Sequence, residues 1–335
     1  MNIRDAILIL TKSQPELRQR LAEYLGVAVR DITDWESGKA VPSNEISQAI
    51  AEKYNMALNE SLWEHSDFSG EFNEKLNADR FLGFADVYEE NRPAVPSKAC
   101  DIIINYLEKA PETVVDLGCG TGLSTLAWKN KCRNVIGIEP SKDMLQAAKN
   151  KSDESVSFKQ AYADNTGLPG AFADIAVCSQ SFHWMNPKST LAEINRILKP
   201  GGVFAAIDYD WPPISDWRAE YAYSDLLKSV RKIEQNEPVI SNTFHKWKKD
   251  LHLKNIKESG YFRYWREIVF ENKERCTAKR LIGMALSQGS VQTILKVHSE
   301  MIENEIKKYE KAINNIFAKE EFDILFCYRM RIGKK

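Results

Sequence analysis

The stretch ETVVDLGCGTG, residues 112–122, contains the strongest fold signal in this chain. Two valines lead into an acid, Asp116, and three glycines follow within five positions, at Gly118, Gly120 and Gly122. A short apolar, β-branched run predicts a buried strand, and clustered glycines permit backbone angles that other residues avoid. The stretch therefore predicts a strand that turns sharply into a helix. Because glycine has no side chain, a ligand could approach the main chain of this turn.

Strand and helix signals alternate after this stretch. Amphipathic segments at 141–151 and 189–199 predict helices between apolar runs that predict strands. The strand candidates are residues 113–118, 134–140, 156–161, 173–180 and 201–209. This alternation predicts a doubly wound α/β fold, in which helices cover both faces of a parallel sheet and ligands bind beyond the carboxyl ends of the strands.

Composition excludes several classes of protein. The 335 residues carry 28% charged side chains and a formal net charge of −1, so whole-chain charge favours no class of partner. No apolar run approaches the roughly 18 residues of a membrane-spanning helix. The six cysteines are scattered without a CxxC pair, which argues against a metal site. The sequence thus predicts a cytoplasmic protein with no membrane span and no metal.

The glycine spacing indicates the kind of ligand. A nicotinamide-binding turn would read GxGxxG, whereas residues 118–122 read GxGxG after an acid. VVDLGCGTG therefore resembles motif I of the class I S-adenosylmethionine (SAM) methyltransferases. The resemblance implies that Gly118, Cys119 and Gly120 hold the amino-acid end of this cofactor and that Asp116 faces its ammonium. The alternative is a tight turn that binds nothing.

Later motifs follow in the order of the same family. The run VIGIEP ends in Glu139 and Pro140, and a carboxylate there would accept both ribose hydroxyls. By the same resemblance, Ala163 and Asp164 lie beside the adenine and Gln180 lies near the sulfonium. His183 and Trp184, in SQSFHWM, would face the acceptor.

An upstream run, FADVYEENRPAVP at 84–96, resembles the entry segment of the ubiquinone/menaquinone-type and trans-aconitate-type subgroup. There the tyrosine and arginine, here Tyr88 and Arg92, close over cofactor and acceptor. The simpler alternative is a strap that packs on the sheet, with Arg92 bonded to backbone carbonyls.

The resemblance implies a Rossmann-like sheet of seven strands with a helical insertion after strand five. A small all-α helix-turn-helix domain precedes it. The predicted divisions are a helical domain at 1–66, a strap and entry helix at 67–112, the SAM-binding core at 113–209, a helical cap at 210–262 and the rest of the sheet at 263–335.

The cap is expected to shape the acceptor site. Tyr209 and Trp211 would contribute aromatic surface, and residues 241–335 carry twenty Lys/Arg against twelve Asp/Glu, which suits an anionic acceptor. His183, Asp210 and Tyr88 are the candidate bases, His183 first because the ordinary histidine pKa lies near neutrality. The chain lacks both the NPPY-type run after strand four and the Pro-Cys pair of nucleic-acid methyltransferases.

The N-terminal segment LAEYLGVAVRDITDWESGKAVPS, residues 21–43, resembles the lambda/Cro-type helix-turn-helix. Its second helix would span 29–36, with Val29, Arg30 and Thr33 facing DNA. Residues 1–67 carry seven Lys/Arg against eleven Asp/Glu, which disfavours DNA binding because phosphate neutralisation dominates DNA affinity. The alternative is a small helical module that serves for self-association or as a lid, and a homodimer stays open.

Two functions remain. The first is an enzyme that transfers the methyl group of SAM to a small-molecule acceptor, anionic or aromatic, by direct displacement. The second is a regulator that binds DNA and senses SAM, or a methyltransferase acting on nucleic acid.

Overall fold

The computed structural model describes most of the chain, which divides into two compact units, Met1–Phe68 and Ser69–Lys335. The described residues are 7–8, 10–11, 14–37, 39–40, 42–43, 46–47, 49–50, 77–78, 89–237, 240, 245–318 and 320–335. Within these ranges, no helix is long and apolar enough to cross a bilayer.

The first unit contains a helix-turn-helix. The helices Pro15–Leu25 and Val29–Ser37 are joined at Gly26, whose φ of 67° ends the first helix in a left-handed turn. The predicted second helix is confirmed to within one residue. A small core holds the unit together and consists of Ile7, Leu21, Ala22, Ile32, Trp35 and Ile50.

The second unit is built on one seven-stranded sheet of order β3-β2-β1-β4-β5-β7-β6. Strands β1 to β5 are parallel, and β7 runs antiparallel between β5 and β6. The strands are β1 Thr113–Leu117, β2 Asn134–Ile138, β3 Val156–Lys159, β4 Ala173–Ser179, β5 Leu198–Tyr209, β6 Tyr264–Cys276 and β7 Phe322–Lys334. The predicted α/β fold with seven strands is confirmed.

Helices cover both faces of the sheet, as alternation along buried strands requires. In β1, Val114 packs into one core cluster and Val115 into the other. In β5, Val203 and Phe204 divide in the same way. The helices of this unit are Ser97–Leu107, Leu123–Leu126, Lys142–Lys149, Pro187–Ile197, Trp217–Asn236, His252–Glu258, Ala278–Leu286, Gly289–His298 and Glu303–Phe317.

Two helical segments interrupt the sheet, where one insertion was predicted. The first, between β5 and β6, includes Trp217–Asn236 and His252–Glu258. The second lies between β6 and β7 and consists of the last three helices, Ala278–Leu286 to Glu303–Phe317. The final strand β7 lies between β5 and β6 in the sheet, and these helices connect β6 to β7.

The strand order reverses beside β1, whose neighbours are β2 on one side and β4 on the other. Crossovers leave in opposite directions from such a point, so a crevice opens at the carboxyl ends of these strands. The glycine turn after β1 lies at this crevice.

Candidate active site

A cavity of about 1130 Å³, a volume that includes its opening to solvent, lies at the carboxyl ends of β1, β2, β4 and β5. All of its lining belongs to the second unit. The lining residues are Asn77, Ala78, Arg92, Gly118, Gly120, Glu139, Pro140, Met144, Tyr162, Ala163, Ser179, Gln180, Ser181, His183, Trp184, Met185, Trp211, Lys246, Lys249, Gln288, Gly289 and Ser290.

The glycine turn forms one wall of this cavity. Gly118 and Gly120 have φ of 66° and 56°, a left-handed conformation that favours glycine. A Cβ on Gly118 would lie 2.6 Å from Met185 Cε and 2.7 Å from Ser181 Cβ, so nothing larger fits there. A Cβ on Gly120 would meet no atom within 4 Å. The main chain at Gly120 therefore faces open space that a ligand can occupy.

Glu139, at the end of β2, lies beside the glycine turn. Its Oε2 accepts from the Gly120 backbone N at 2.9 Å, and its Oε1 accepts from the Ser141 N at 2.8 Å. Burial raises the pKa of Glu139 to about 7, because the protein interior disfavours the charged carboxylate. The carboxylate thus lines the cavity and also fixes the loop that a ligand would touch.

Asp116 lies below the turn and is not among the lining residues. Its Oδ2 accepts from Ser124 Oγ at 2.6 Å and from Thr125 Oγ1 at 2.7 Å, which joins β1 to the first turn of the next helix. Burial raises the pKa of Asp116 to about 6. Among the described residues its buried Oδ1 has no hydrogen-bond partner. The direct contacts of Asp116 therefore support the loop rather than the cavity surface.

Some of the other residues predicted to bind the cofactor line the cavity, and others do not. Pro140, Ala163 and Gln180 line the cavity. Cys119 is buried and Asp164 is half-buried, and neither belongs to the lining. Met144 and Tyr162, which the sequence did not single out, take lining positions.

The loop after β4 forms the floor. Gln180 takes a φ of 55°, and its Oε1 accepts from Lys249 Nζ at 2.8 Å. His183 and Trp184 follow in a short 3-10 turn, with ring centroids 4.8 Å apart, and both line the cavity. The structure therefore brings three predicted residues of this loop into one site.

The surroundings of His183 favour its neutral form. Burial lowers its pKa well below the ordinary value, and the nearby ammonium groups of Lys249 and Lys246 lower it further. Its Nδ1 lies 3.8 Å from Asp208 Oδ1, beyond hydrogen-bond distance. A neutral imidazole at the cavity wall can accept a proton, but the burial and cations that lower its pKa also make it a weaker base than an ordinary histidine.

Asp208 is a buried carboxylate that the sequence prediction missed. Lys249 Nζ lies 2.7 Å from its Oδ1, and Arg331 Nη1 donates to its Oδ2 at 2.9 Å. Arg331 also donates to Glu267 on β6 at 2.8 Å. Alternation along β5 places Asp208 and Asp210 on one face of the sheet, which is a signal the sequence contains.

Asp208, His183 and His252 could in principle hold a metal ion, since their ligand atoms lie within 4.8 Å of one another. The donor set does not fit one in this environment. Both carboxylate oxygens of Asp208 already face cations, Lys249 and Arg331, and a divalent ion would be repelled by both.

The end of β5 corrects two assignments. Asp210 does not line the cavity, and both its oxygens accept from Arg329 Nε at 3.1 Å. This pairing removes the geometric basis for a base at Asp210. Tyr209 is buried and accepts from Arg92 Nη1 at 3.0 Å, so it supports the wall without lining it. Trp211 does line the cavity.

Arg92 lines the cavity, and its contacts agree with the alternative in which Arg92 bonds a backbone carbonyl and holds the strap in place. Besides Tyr209, its Nη2 donates to the Ser287 carbonyl at 2.9 Å, and the guanidinium lies 5.2 Å from the Trp211 ring centroid. Tyr88, the other predicted residue of this segment, lies outside the described residues.

Two lysines complete the site and were not predicted. Lys246 and Lys249 belong to the run HKWKK at 245–249, far in sequence from every cofactor motif. Lys246 Nζ lies 5.6 Å from the ring centroid of Trp184. Burial lowers the pKa of Lys249, although Asp208 raises it in part.

In the first unit, the residues predicted to face DNA have mixed surroundings. Arg30 and Thr33 are exposed and Val29 is half-buried. Arg30 lies 3.6 Å from Asp34 on the same helix, so an acid competes for its charge. The helix is also acidic in its first turn, at Asp31.

Comparison with known proteins gives two family matches, to a methyltransferase domain at residues 115–206 and to a helix-turn-helix at residues 12–61. The probable S-adenosylmethionine-dependent methyltransferase CRG1 of Saccharomyces cerevisiae is 27% identical over 39% of this chain and 47% of its own length. The methyltransferase YqeM of Bacillus subtilis, itself an unproven assignment, is 32% identical over 37% of this chain and 53% of its own length. The chain thus spans about half the length of these curated relatives.

Among solved structures, a protein of Anaeromyxobacter dehalogenans assigned to the type II methyltransferases superposes with a TM-score of 0.52. The alignment covers 72% of this chain and 97% of that protein, at 20% identity, which supports the fold alone. The two family matches show a methyltransferase domain preceded by a helix-turn-helix domain, and the strand order and glycine turn agree with the methyltransferase fold, whose family binds S-adenosylmethionine.

Proposed function

We propose that this chain transfers the methyl group of SAM to a small-molecule acceptor by direct displacement. The observation that carries the proposal is the cavity itself. It joins the glycine turn and Glu139 at one end to His183, Trp184 and Trp211 at the other. Cofactor and acceptor groups in one enclosure are what a direct transfer requires.

The chain's own residues fit the cofactor at the first end. The open space beside Gly120 would admit the amino-acid part, and Glu139 would accept the ribose hydroxyls. Ala163 and Tyr162 would border the adenine, and Pro140 would close the same side. Asp116 would act by fixing the turn through Ser124 and Thr125.

SAM, when bound, supplies a methyl group on a positively charged sulfur. The acceptor's lone pair would form the new bond to carbon while the carbon–sulfur electrons stay on sulfur, leaving S-adenosylhomocysteine (SAH). The protein then has to orient the acceptor and exclude water. If the acceptor carries a proton, the neutral His183 at the cavity wall would take it.

The proposal is tested by following the methyl group. The full chain is incubated with SAM labelled in its methyl carbon and with fractionated small molecules from a cell extract. We expect SAH release and label in a low-mass fraction, and much less of both with a Glu139→Ala variant at the same SAM concentration. Label in DNA or RNA would contradict a small-molecule acceptor. SAH binding without SAH production in any fraction would favour a sensor.

The helix-turn-helix match keeps DNA binding as a second proposal. The charges of the described helix weigh against it, since Asp31 and Asp34 accompany Arg30. A gel shift with genomic fragments, with Arg30→Gln as the variant, decides between the two. A shift that Arg30→Gln abolishes would support the regulator. We also propose, from the sequence analysis, that the protein is located in the cytoplasm.

A further inference from the structure

The acceptor end of the cavity has a charge distribution that the methyl transfer itself does not require. The charged residues among its described lining are Arg92, Lys246, Lys249 and Glu139, which amounts to three cations and one carboxylate. Glu139 lies at the cofactor end, beside Gly120. Lys246 lies over the Trp184 ring, Arg92 over the Trp211 ring, and Lys249 bonds Gln180, so the cations lie beside the residues proposed to face the acceptor.

Two oxygen acceptors fix the position of Lys249. Its ammonium is held at 2.7 Å by Asp208 and at 2.8 Å by Gln180, so its position on the floor is fixed before any ligand arrives. A third proton of the ammonium remains for another acceptor. A cation that is already positioned loses little side-chain entropy when it binds an anion.

The charge on Asp208 does not cancel this preference. Asp208 is shared between Lys249 and Arg331, and Glu267 is shared between Arg331 and Arg329. Cations and carboxylates thus alternate from the cavity across β5, β7 and β6. Asp210 ends the series on Arg329, so this network of described residues holds three cations and three carboxylates. Asp208 nevertheless faces Arg331 as well as Lys249, so Lys249 does not have a carboxylate to itself.

Gln180 gives an independent indication. Its Oε1 is occupied by Lys249, whereas its buried Nε2 has no acceptor among the described residues. A buried donor without a partner costs free energy of about 1–3 kcal/mol, which a ligand oxygen would offset. Lys249 Nζ donates to the oxygen of the same amide group that carries Gln180 Nε2, so the two donors lie close together. The two oxygens of a carboxylate could accept one hydrogen bond from each donor.

We propose that the acceptor carries a carboxylate, which Lys249 and Gln180 bind at the floor of the cavity beneath His183. The role of the bound anion as methyl acceptor rests on the proposed function, whereas the anion-binding site rests on the contacts of Lys249 and Gln180. The aromatic lining by Trp184 and Trp211 suits a planar body attached to that carboxylate. A cationic cofactor in the neighbouring half would further favour an anionic partner.

The test uses benzoate and its neutral isostere benzamide as probes of the full chain, by calorimetry, with and without saturating SAH. We expect benzoate to bind about ten-fold more tightly than benzamide, the scale of one charge-assisted hydrogen bond. Lys249→Met should abolish that preference, whereas Lys248→Met, an exposed neighbour outside the lining, should keep it. Equal affinities in the wild-type chain would overturn the inference.

A second measurement avoids variants and so does not depend on their folding. Reductive methylation with formaldehyde and cyanoborohydride as the hydride donor, read by peptide mass spectrometry, reports the labelling of Lys249 relative to Lys248 in the wild-type chain. We expect benzoate, but not benzamide, to slow labelling of Lys249, and equal effects of the two would overturn the inference. SAH binding without a benzoate preference would defeat only this inference. A benzoate preference without SAH binding would defeat only the proposed function.

Discussion

The two halves of the cavity are built in different ways. The cofactor half comes from a compact piece of chain: Gly118, Gly120 and Glu139 lie at the ends of adjacent strands β1 and β2, and much of its surface is backbone. The acceptor half is assembled from Arg92, Lys249 and other side chains that lie far apart in sequence. The first half needs a particular backbone shape, whereas the second needs a particular set of side chains.

The largest expected effect is on the backbone of the cofactor half. Gly118→Ala should lower the free energy of unfolding by about 2–5 kcal/mol, because it adds left-handed strain to overpacking against Met185 and Ser181. Gly120→Ala and Gly201→Ala share the strain, at φ of 56° and 75°, but meet no atom within 4 Å. Denaturant unfolding of the three variants measures the difference.

The same glycines separate folding from binding. Gly120→Ala and Gly201→Ala should lose similar stability, of about 1–2 kcal/mol, since both pay only for the left-handed conformation. Only Gly120→Ala should also lose SAH affinity, because its methyl group enters the cavity. Equal SAH affinities for these two variants would show that the turn is not the cofactor wall.

Glu139→Ala should weaken SAH binding by about 1.5–3 kcal/mol, the scale of a lost charge-assisted hydrogen bond. Glu154→Ala, an exposed acid outside the lining, is the matched control. Calorimetry of both variants gives the difference directly. Unchanged affinity in Glu139→Ala would remove this carboxylate from the site.

The pH dependence sharpens the role of Glu139. Its pKa is raised to about 7, so the folded state holds the proton more tightly than the unfolded chain, and its contribution to stability is lost as pH rises through 7. Ligand binding has the opposite sign, because ribose hydroxyls need the ionised carboxylate. SAH affinity should therefore rise as pH passes upward through about 7, and Glu139→Gln should flatten that rise.

Arg92→Lys tests whether the acceptor half contains structural ties. The guanidinium bonds Tyr209 and the Ser287 carbonyl, and a lysine cannot reproduce that fork. We expect a stability loss of about 1–2 kcal/mol with SAH affinity per folded molecule nearly unchanged. An unchanged melting temperature with weakened SAH binding would instead assign Arg92 to the cofactor carboxylate.

The contrast between the halves explains how much could be predicted. Glycine spacing and the acids after strands are local signals, so the sequence located the turn, Glu139 and all of β1 to β5. Lys249 carries no local signal, because it meets Asp208 only when the helical segment after β5 folds back on the sheet. Asp210 was predicted as a candidate base because its pairing with Arg329 on β7 is a contact between distant strands, which the sequence does not show.

The smallest expected effect is that of removing the first unit. All described lining residues of the cavity belong to the second unit, so deletion of residues 1–68 should leave SAH affinity unchanged. Calorimetry on the shortened chain checks this. A loss of binding in a folded remainder would show that the helix-turn-helix unit completes the site.

The most direct test of the central claim is a calorimetric titration of SAH into the full-length chain, with Glu139→Ala and Glu154→Ala titrated in parallel. The account predicts one site per chain in the wild type, weaker binding in Glu139→Ala and wild-type binding in Glu154→Ala. No heat of binding with a chain of proven fold, or equal binding in all three proteins, would contradict it.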